Sequence, residues 1–299
     1  MKSPLLSCLL VAAATSTLTG CDELDDILDN ESGKNGQISI SLADAPVDNL
    51  TEVSITVTAI ELKPKDESAS TYTFDNPKRF DLLDLQNGNS ALLLTEDKVR
   101  AGDYNWMRLV LSDASGAHYV VDRIGGQYPL VVPSGSESGL KINTGFSVPK
   151  NGEGRFTIDF DARKSLVEPE SNTTDYLLKP SLRLVNNEDV GSISGTVDAS
   201  TVVAPECDDA QTYAGLVYVF EGEDASMDDI GSANPPVVVA PLQGASGNYS
   251  FKASFLSAGD YTVSYTCDED DIEANDSLNF VRERNVQVTA GSSTTTDIQ

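Results

Sequence analysis

The chain has 299 residues, with 47 Asp and Glu against 20 Lys and Arg, for a formal net charge of −27 at pH 7. Acidity on this scale excludes nucleic acid and anionic lipid headgroups as partners, because both are held by basic patches. A Ser-His-Asp or Cys-His site would have to use the single histidine, His118, and a zinc site would need more His or Cys than the chain supplies. No G-x-S-x-G, P-loop or H-E-x-x-H motif occurs, so a reaction would have to run on carboxylates alone.

The chain opens with Met1-Lys2, an apolar run from Pro4 to Ala14, and then Leu18-Thr19-Gly20-Cys21. The run is too short to span a bilayer and contains Ser7 and Cys8, so it reads as the apolar part of a signal peptide. The layout resembles a bacterial lipoprotein signal. That resemblance implies removal of residues 1–20 and a diacyl or triacyl Cys21, and more than one chain is what stable anchoring requires. Loss of Lys2 leaves 19 basic against 47 acidic residues, a net charge of −28. Asp22 resembles an inner-membrane retention signal in enteric bacteria, a position other bacteria read differently. The expected location is the cell envelope, anchored to the inner or outer membrane at the periplasmic face or the cell surface. Residues 21–35 are acidic, end in a Ser-Gly-Lys-Asn run and cannot bury a core, so they read as a tether.

From Gln37 onward the recurring signal is period-2 alternation between turn clusters. Gln37 to Leu42 reads as a strand. Val53, Ile55 and Val57 alternate, then Ile60 and Leu62 continue on the other parity, which predicts a bulge near Ala59. Ala91–Lys98 carries a short helical spacing. Met107, Leu109 and Leu111 share one strand face, with Trp106, Arg108 and Val110 opposite. In Gly154–Asp161, Phe156, Ile158 and Phe160 face a core, and Thr157, Asp159 and Asp161 face solvent. Gly215–Phe220 is a further strand. Tyr261, Val263, Tyr265 and Cys267 alternate with Thr262, Ser264 and Thr266 as a half-buried one.

These elements predict an all-β chain of two β-sandwich domains, immunoglobulin-like or prealbumin-like, covering 36–186 and 190–299, with the boundary near Asn186-Asn187-Glu188-Asp189. An internal echo joins the two. Gly36-Gln37-Ile38-Ser39 matches Gly191-Ser192-Ile193-Ser194, and Ala101-Gly102-Asp103-Tyr104 matches Ala258-Gly259-Asp260-Tyr261 at nearly the same offset. In each copy Gly would supply a positive-φ turn, Asp would cap it, and Tyr would open the next strand's inward face, as a shared hairpin device.

Several motifs in order resemble one bacterial envelope family. They are Gly36 to Leu42, Ala43-Asp44-Ala45-Pro46-Val47-Asp48, Val53 to Leu62, Phe80-Asp81-Leu82-Leu83-Asp84-Leu85 and Ala101-Gly102-Asp103-Tyr104. The family is catalogued as domain of unknown function 4382 and occurs in lipoproteins. Its role is not established, so no catalytic residue carries over. The second half resembles the carboxypeptidase-regulatory or starch-binding-like sandwich group, through Gly195-Thr196-Val197, Gly247-Asn248-Tyr249-Ser250-Phe251 and Leu256-Ser257-Ala258-Gly259-Asp260-Tyr261. That likeness implies a structural or sugar-binding unit.

Cys207 and Cys267 are expected to form a disulfide in an oxidising compartment, worth about 4 kcal/mol in the chain-entropy model. The bridge would gather Asp208, Asp209, Asp268, Glu269, Asp270 and Asp271, which repel one another unless a cation sits there or the loops splay into solvent. Calcium is the cation such oxygens take, although the spacing is not that of an EF-hand; a solvated acidic loop is the alternative. Asp44 is expected to organise a turn. His118 lies in a polar stretch with nothing around it to support catalysis. Trp106, Tyr213 and Tyr249 are the aromatics that could serve a sugar. The expected function is a lipid-anchored, non-catalytic binding, scaffolding or adhesion module, with the membrane and a glycan or envelope protein as partners. The alternatives are carbohydrate binding through the second sandwich and a carboxylate-based hydrolase.

Overall fold

The computed structural model describes residues 35–299 apart from 45–49, 134–138, 170–173, 212, 245–246, 248 and 271–273. The expected signal peptide, Cys21, the tether up to residue 34, Ala45-Pro46, Asp48 and Asp271 therefore lie outside the described residues. No described helix is long and apolar enough to cross a membrane.

In chain order the first half runs β1 (Asn35–Asp44), β2 (Leu50–Pro64), β3 (Ser70–Asp81), β4 (Ala91–Arg100), β5 (Gly102–Leu111), β6 (Tyr119–Asp122), β7 (Gln127–Val131), β8 (Leu140–Ile142), β9 (Phe146–Val148), β10 (Glu153–Phe160), β11 (Leu166–Val167), β12 (Tyr176–Leu178) and β13 (Leu182–Asn186). One sheet has the order β13-β10-β1-β4. The other runs β11-β12-β7-β6-β2-β5-β8, with β3 added on β2 and β9 on β5. Period-2 patterning packs them together. Ile38, Ile40 and Leu42 of β1 and Phe156, Ile158 and Phe160 of β10 meet Val53, Ile55, Met107 and Leu109 of the facing sheet in one core.

Strand β2 is the axis of the larger sheet. Against β5 its register slips between Val57 and Ala59, two residues advancing on β2 for one on β5, so Thr58 is the bulged residue there; at the same place against β3 the extra residues lie on β3. The extra residue lets Val57 and Ile60 both point inward, which explains the change of parity in the sequence. Ala91–Lys98 is strand, not helix. β4 pairs with β1, and between the Ile38–Asp97 and Ile40–Leu94 pairs it carries an extra residue, with Glu96 at φ 50°. A second extra residue falls at Leu93, between the Ile40–Leu94 and Ser41–Leu92 pairs, and the two bulges together put Leu93, Leu94 and Val99 in the core, a spacing that imitates a helical stripe.

The second half comprises β14 (Val190–Val197), β15 (Leu216–Glu221), β16 (Val238–Pro241), β17 (Tyr249–Ser257), β18 (Gly259–Thr266), β19 (Val281–Val288) and β20 (Ser293–Thr295). The sheets β17-β14-β20 and β16-β15-β18-β19 enclose a core that includes Ile193, Phe251, Val217, Val263 and Tyr265. β15 is buried on both faces, because Leu216, Tyr218 and Phe220 pack in a separate cluster with Ile230 and Phe280. The continuous apolar run of this strand follows from that burial. β18 is not half-buried: Thr262, Ser264 and Thr266 are each 0 % exposed. Their hydroxyls are satisfied locally, Thr262 donating to Gly222 O at 2.9 Å and Ser264 to Val281 O at 2.9 Å. A buried hydroxyl that keeps its hydrogen bond is inexpensive, so the polar parity of this strand does not mark solvent.

The echoed Ala-Gly-Asp-Tyr segments are corners where the chain crosses between facing sheets, not hairpins within one. In the first half it leaves β4 for β5; in the second it leaves β17 for β18. Each tyrosine is buried and donates back to the carbonyl four residues earlier, Tyr104 to Arg100 O at 2.7 Å and Tyr261 to Ser257 O at 2.9 Å. Burial pushes the Tyr104 phenol up to about 12. Neither Asp caps the turn. Each reaches its partner on the next strand: Asp103 accepts from Ser147 Oγ at 2.6 Å and Asp260 from Gln287 Nε2 at 3.0 Å. Only Gly102 has a positive φ; Gly259 does not. The likeness extends to the opening strands. β1 pairs parallel with β10 and antiparallel with β4, and β14 pairs parallel with β20 and antiparallel with β17.

Candidate functional site

The two halves meet around a cavity of about 170 Å³. The first half contributes Asp44, Asn87, Gly88, Asp159, Asp161, Arg163, Lys164 and Arg183; the second contributes Ile230, Pro236 to Val239, Lys252, Ser254 and Phe255. Local structure aims these groups. Asn87 and Gly88 have φ of 59° and 77°, and Asn89 N donates to Gln86 O at 3.0 Å, the type I′ pattern that an Asn-Gly pair favours. This tip presses on β17, where a Cβ on Gly88 would collide with Ser254 Oγ. On β17 itself, Ser254 and Phe255 together oppose Ser192 of β14, and Phe255 takes a φ of 59°. This bulge turns both residues toward the junction. Lys164 crosses it, donating to Pro236 O at 3.3 Å, and Arg163 Nη1 lies 3.5 Å from Tyr218 Oη.

Asp159 and Asp161 do not face open solvent; both line this cavity. Arg183 Nε donates to Asp159 at 2.6 Å. Burial raises the Asp159 carboxyl above its ordinary range, against the opposing pull of Arg183. Asp161 caps the short helix Ala162–Ser165 through Lys164 N and pairs with Lys164 Nζ at 3.4 Å. Asp44 is buried and accepts from Ala162 N at 2.9 Å. Three other polar atoms of lining residues, Arg183 Nη2, Asn87 Oδ1 and Ser254 Oγ, are buried without a hydrogen-bond partner among the described residues. Buried polar atoms in a cavity of this size are satisfied by ordered water or by a small polar ligand. The Asn-Gly pair is the one signal in the sequence that could have pointed here. Which turns the fold would set against each other was not legible.

Cys207 and Cys267 are disulfide-bonded, with Cα atoms 5.5 Å apart. Among the described residues the bridge does not gather the neighbouring acids Asp208, Asp209, Asp268, Glu269 and Asp270 into one cluster. Asp209 closes a local turn on Gln211 N at 3.1 Å, and Asp268 receives Asn279 N. Asp208 and Glu269 enter no carboxylate cluster among the described residues. Asp270 turns inward instead. It accepts from Tyr218 Oη at 2.5 Å and Ile230 N at 3.1 Å, and meets Asp229 and Asp276. Burial lifts its carboxyl above the ordinary range, the Tyr218 and Ile230 hydrogen bonds and Arg163 oppose the shift, and the Asp229 charge adds to it. Asp229, far from Asp270 in the chain, carried no local signal.

The sugar-platform aromatics are engaged otherwise. Tyr249 is 4 % exposed and belongs to the second core. Trp106 carries Arg108 at 4.9 Å and Lys141 at 4.7 Å from its ring centre. Tyr213 packs beside the Tyr218 cluster, its hydroxyl 3.4 Å from Asp268 O. His118 is structural: Thr56 N donates to Nδ1 at 3.2 Å, leaving Nε2–H for Ser112 O at 2.9 Å. Burial holds its pKa below the ordinary histidine value.

Among proteins of curated function none matches the chain. Similar solved structures include the Bacillus anthracis TIE protein, with 12% identity and a TM-score of 0.21 over 89% of this chain and 34% of that one. A leucine-rich repeat protein from Bacteroides thetaiotaomicron gives 9% and 0.23, over 89% of this chain and 26% of its own length. A putative adhesin from Bacteroides ovatus gives 10% and 0.20, over 93% and 94%. The chain thus spans about a third and a quarter of the first two, and TM-scores at this level do not establish a common fold. The first half has a firmer match: residues 35–180 fit the family model described as Domain of unknown function (DUF4382), the family that its ordered motifs resemble.

Proposed function

We propose that this protein is a lipid-anchored component of the cell envelope, non-catalytic, in which two β-sandwich domains, 36–186 and 190–299, form one binding, scaffolding or adhesion body on the acidic tether. The observation that carries this reading is the junction. Lys164 donates across it to Pro236 O, Arg163 meets Tyr218, and the Asn87-Gly88 turn is seated on Ser254. Two domains move relative to one another unless their interface holds them, and these contacts restrict that motion, which suits a body that holds a recognition surface away from a membrane. The location rests on Leu18-Thr19-Gly20-Cys21.

The cavity carboxylates support a structural role. Asp159 is committed to Arg183, Asp161 to Lys164 and the helix end, and Asp44 to Ala162. A carboxylate hydrolase needs one acid free to give up a proton beside a second that is free to attack or to activate water. The burial of Tyr249 and the cations on Trp106 weigh against sugar binding on those two rings.

The test is fractionation of cells expressing the full chain and its Cys21→Ser variant, with an alkyne-tagged fatty acid in the medium. The wild-type chain is expected in the membrane fraction carrying the tag, and the variant untagged and released. An untagged wild-type chain, or a variant that stays in the membrane fraction, would overturn the anchored reading.

A further inference from the structure

We infer that Asp229, Asp270 and Asp276 form a calcium site at the inner edge of the junction, a different ligand set from the acids beside the disulfide. One carboxylate oxygen from each lies within 4.8 Å of the other two. Three carboxylates that close repel one another strongly unless a proton or a cation enters. A second, separate observation points to the cation. Asp229 is 0 % exposed, one of its oxygens accepts from Asp276 N at 2.7 Å, and the other, Oδ1, is buried with no hydrogen-bond partner among the described residues. A fully buried carboxylate oxygen left without a donor is costly, and a metal ion is the partner that removes the cost without a donor group.

The donors select the class of ion. All are carboxylate oxygens, the hard ligands of calcium, which accepts several in irregular geometry. The neighbouring guanidinium of Arg163 acts on Asp270 from the first half. Three carboxylates and one guanidinium sum to a charge of −2, which a single divalent ion balances. The placement gives the ion a task. Asp270 is held by Tyr218 and by Ile230 N, Ile230 lines the cavity between the halves, and Tyr218 meets Arg163. An ion here fixes the segments after β15 and β18 against the face that receives the first half. The inference is independent of the lipid anchor.

The test uses the full chain in detergent and two readouts. Terbium(III) luminescence excited through tyrosine reports the site, because Tyr218 Oη lies 2.5 Å from Asp270 Oδ2. Calcium is expected to displace the terbium at or below about millimolar concentration, and 5 mM calcium, compared with EGTA, to raise the melting temperature by about 5 °C. Both effects should vanish in Asp229→Asn and in Asp276→Asn, and persist in Asp208→Asn and Glu269→Gln. Asp276 is only partly buried, so its variant keeps the test open if Asp229→Asn does not fold. The inference fails if calcium neither displaces terbium nor shifts melting. It fails equally if the calcium response survives in Asp276→Asn, or is lost in Asp208→Asn or Glu269→Gln instead.

Discussion

The two halves solve one packing problem with different means. Each begins with a strand paired parallel on one side and antiparallel on the other. Each then passes from sheet to sheet through an Ala-Gly-Asp-Tyr corner, pinned by a tyrosine on the carbonyl four residues back. The first half builds on this frame a nine-stranded and a four-stranded sheet over one large core, held among its described residues without a disulfide. The second has sheets of three and four strands, two smaller apolar clusters, and the Cys207–Cys267 bridge. Apolar burial grows faster than chain length, so the smaller unit has less surplus and gains more from a covalent staple. A shared frame therefore fixes the course of the chain, while the size of the core decides what else is needed.

Removing the staple tests that contrast most strongly. Cys207→Ala with Cys267→Ala is expected to lower the stability of the second half by about 4 kcal/mol. Trp106, the single tryptophan, lies on β5 and reports the first half alone. In urea, the circular-dichroism midpoint should fall while the Trp106 fluorescence midpoint moves much less. Equal shifts in both signals would mean that the halves unfold as one unit and that the contrast is only geometric.

A smaller effect is expected at the junction. Gly88→Val places a branched side chain at a φ of 77° and drives it into Ser254. The cost is about 1–3 kcal/mol, and the two midpoints should separate further as the halves uncouple. Unchanged midpoints would show that the Asn87-Gly88 turn does not hold them together.

The smallest effect is a pH dependence confined to the first half. Burial depresses the folded-state pKa of His118, with a lesser contribution from Arg79. The unfolded chain therefore takes up the proton first. This stability is fully present above about pH 6.5 and is lost as pH falls toward the lower folded value. The Trp106 midpoint should decline over that window, and the decline should flatten in His118→Gln. A decline of the same slope in the variant would assign it to other groups.

Much of the fold was legible because strands write a period of two into the sequence, and a bulge writes a change of parity. The slip beside Thr58 was predicted from Val57 and Ile60, yet the same device in β4 produced a spacing that reads as a helix. Local pattern cannot separate these, since a bulge and a helical turn both bring residues of unlike parity to one face. The polar residues of β18 misled for a related reason. A hydroxyl that bonds a carbonyl close by in the fold can be buried at little cost, and hydropathy does not register that case.

The sequence by itself determined the β class, the bridging cysteines, the echo between the halves and the family motifs of the first. Each of these is written in short-range spacing or in residue type. Tertiary structure alone decided that the echoed corner joins facing sheets, that Asp159 and Asp161 look into a cavity, and that Asp270 leaves its acidic neighbours to meet Asp229 and Asp276. Those outcomes depend on which surfaces the two cores press together, and that is set by contacts between residues far apart in the chain, which no local pattern records.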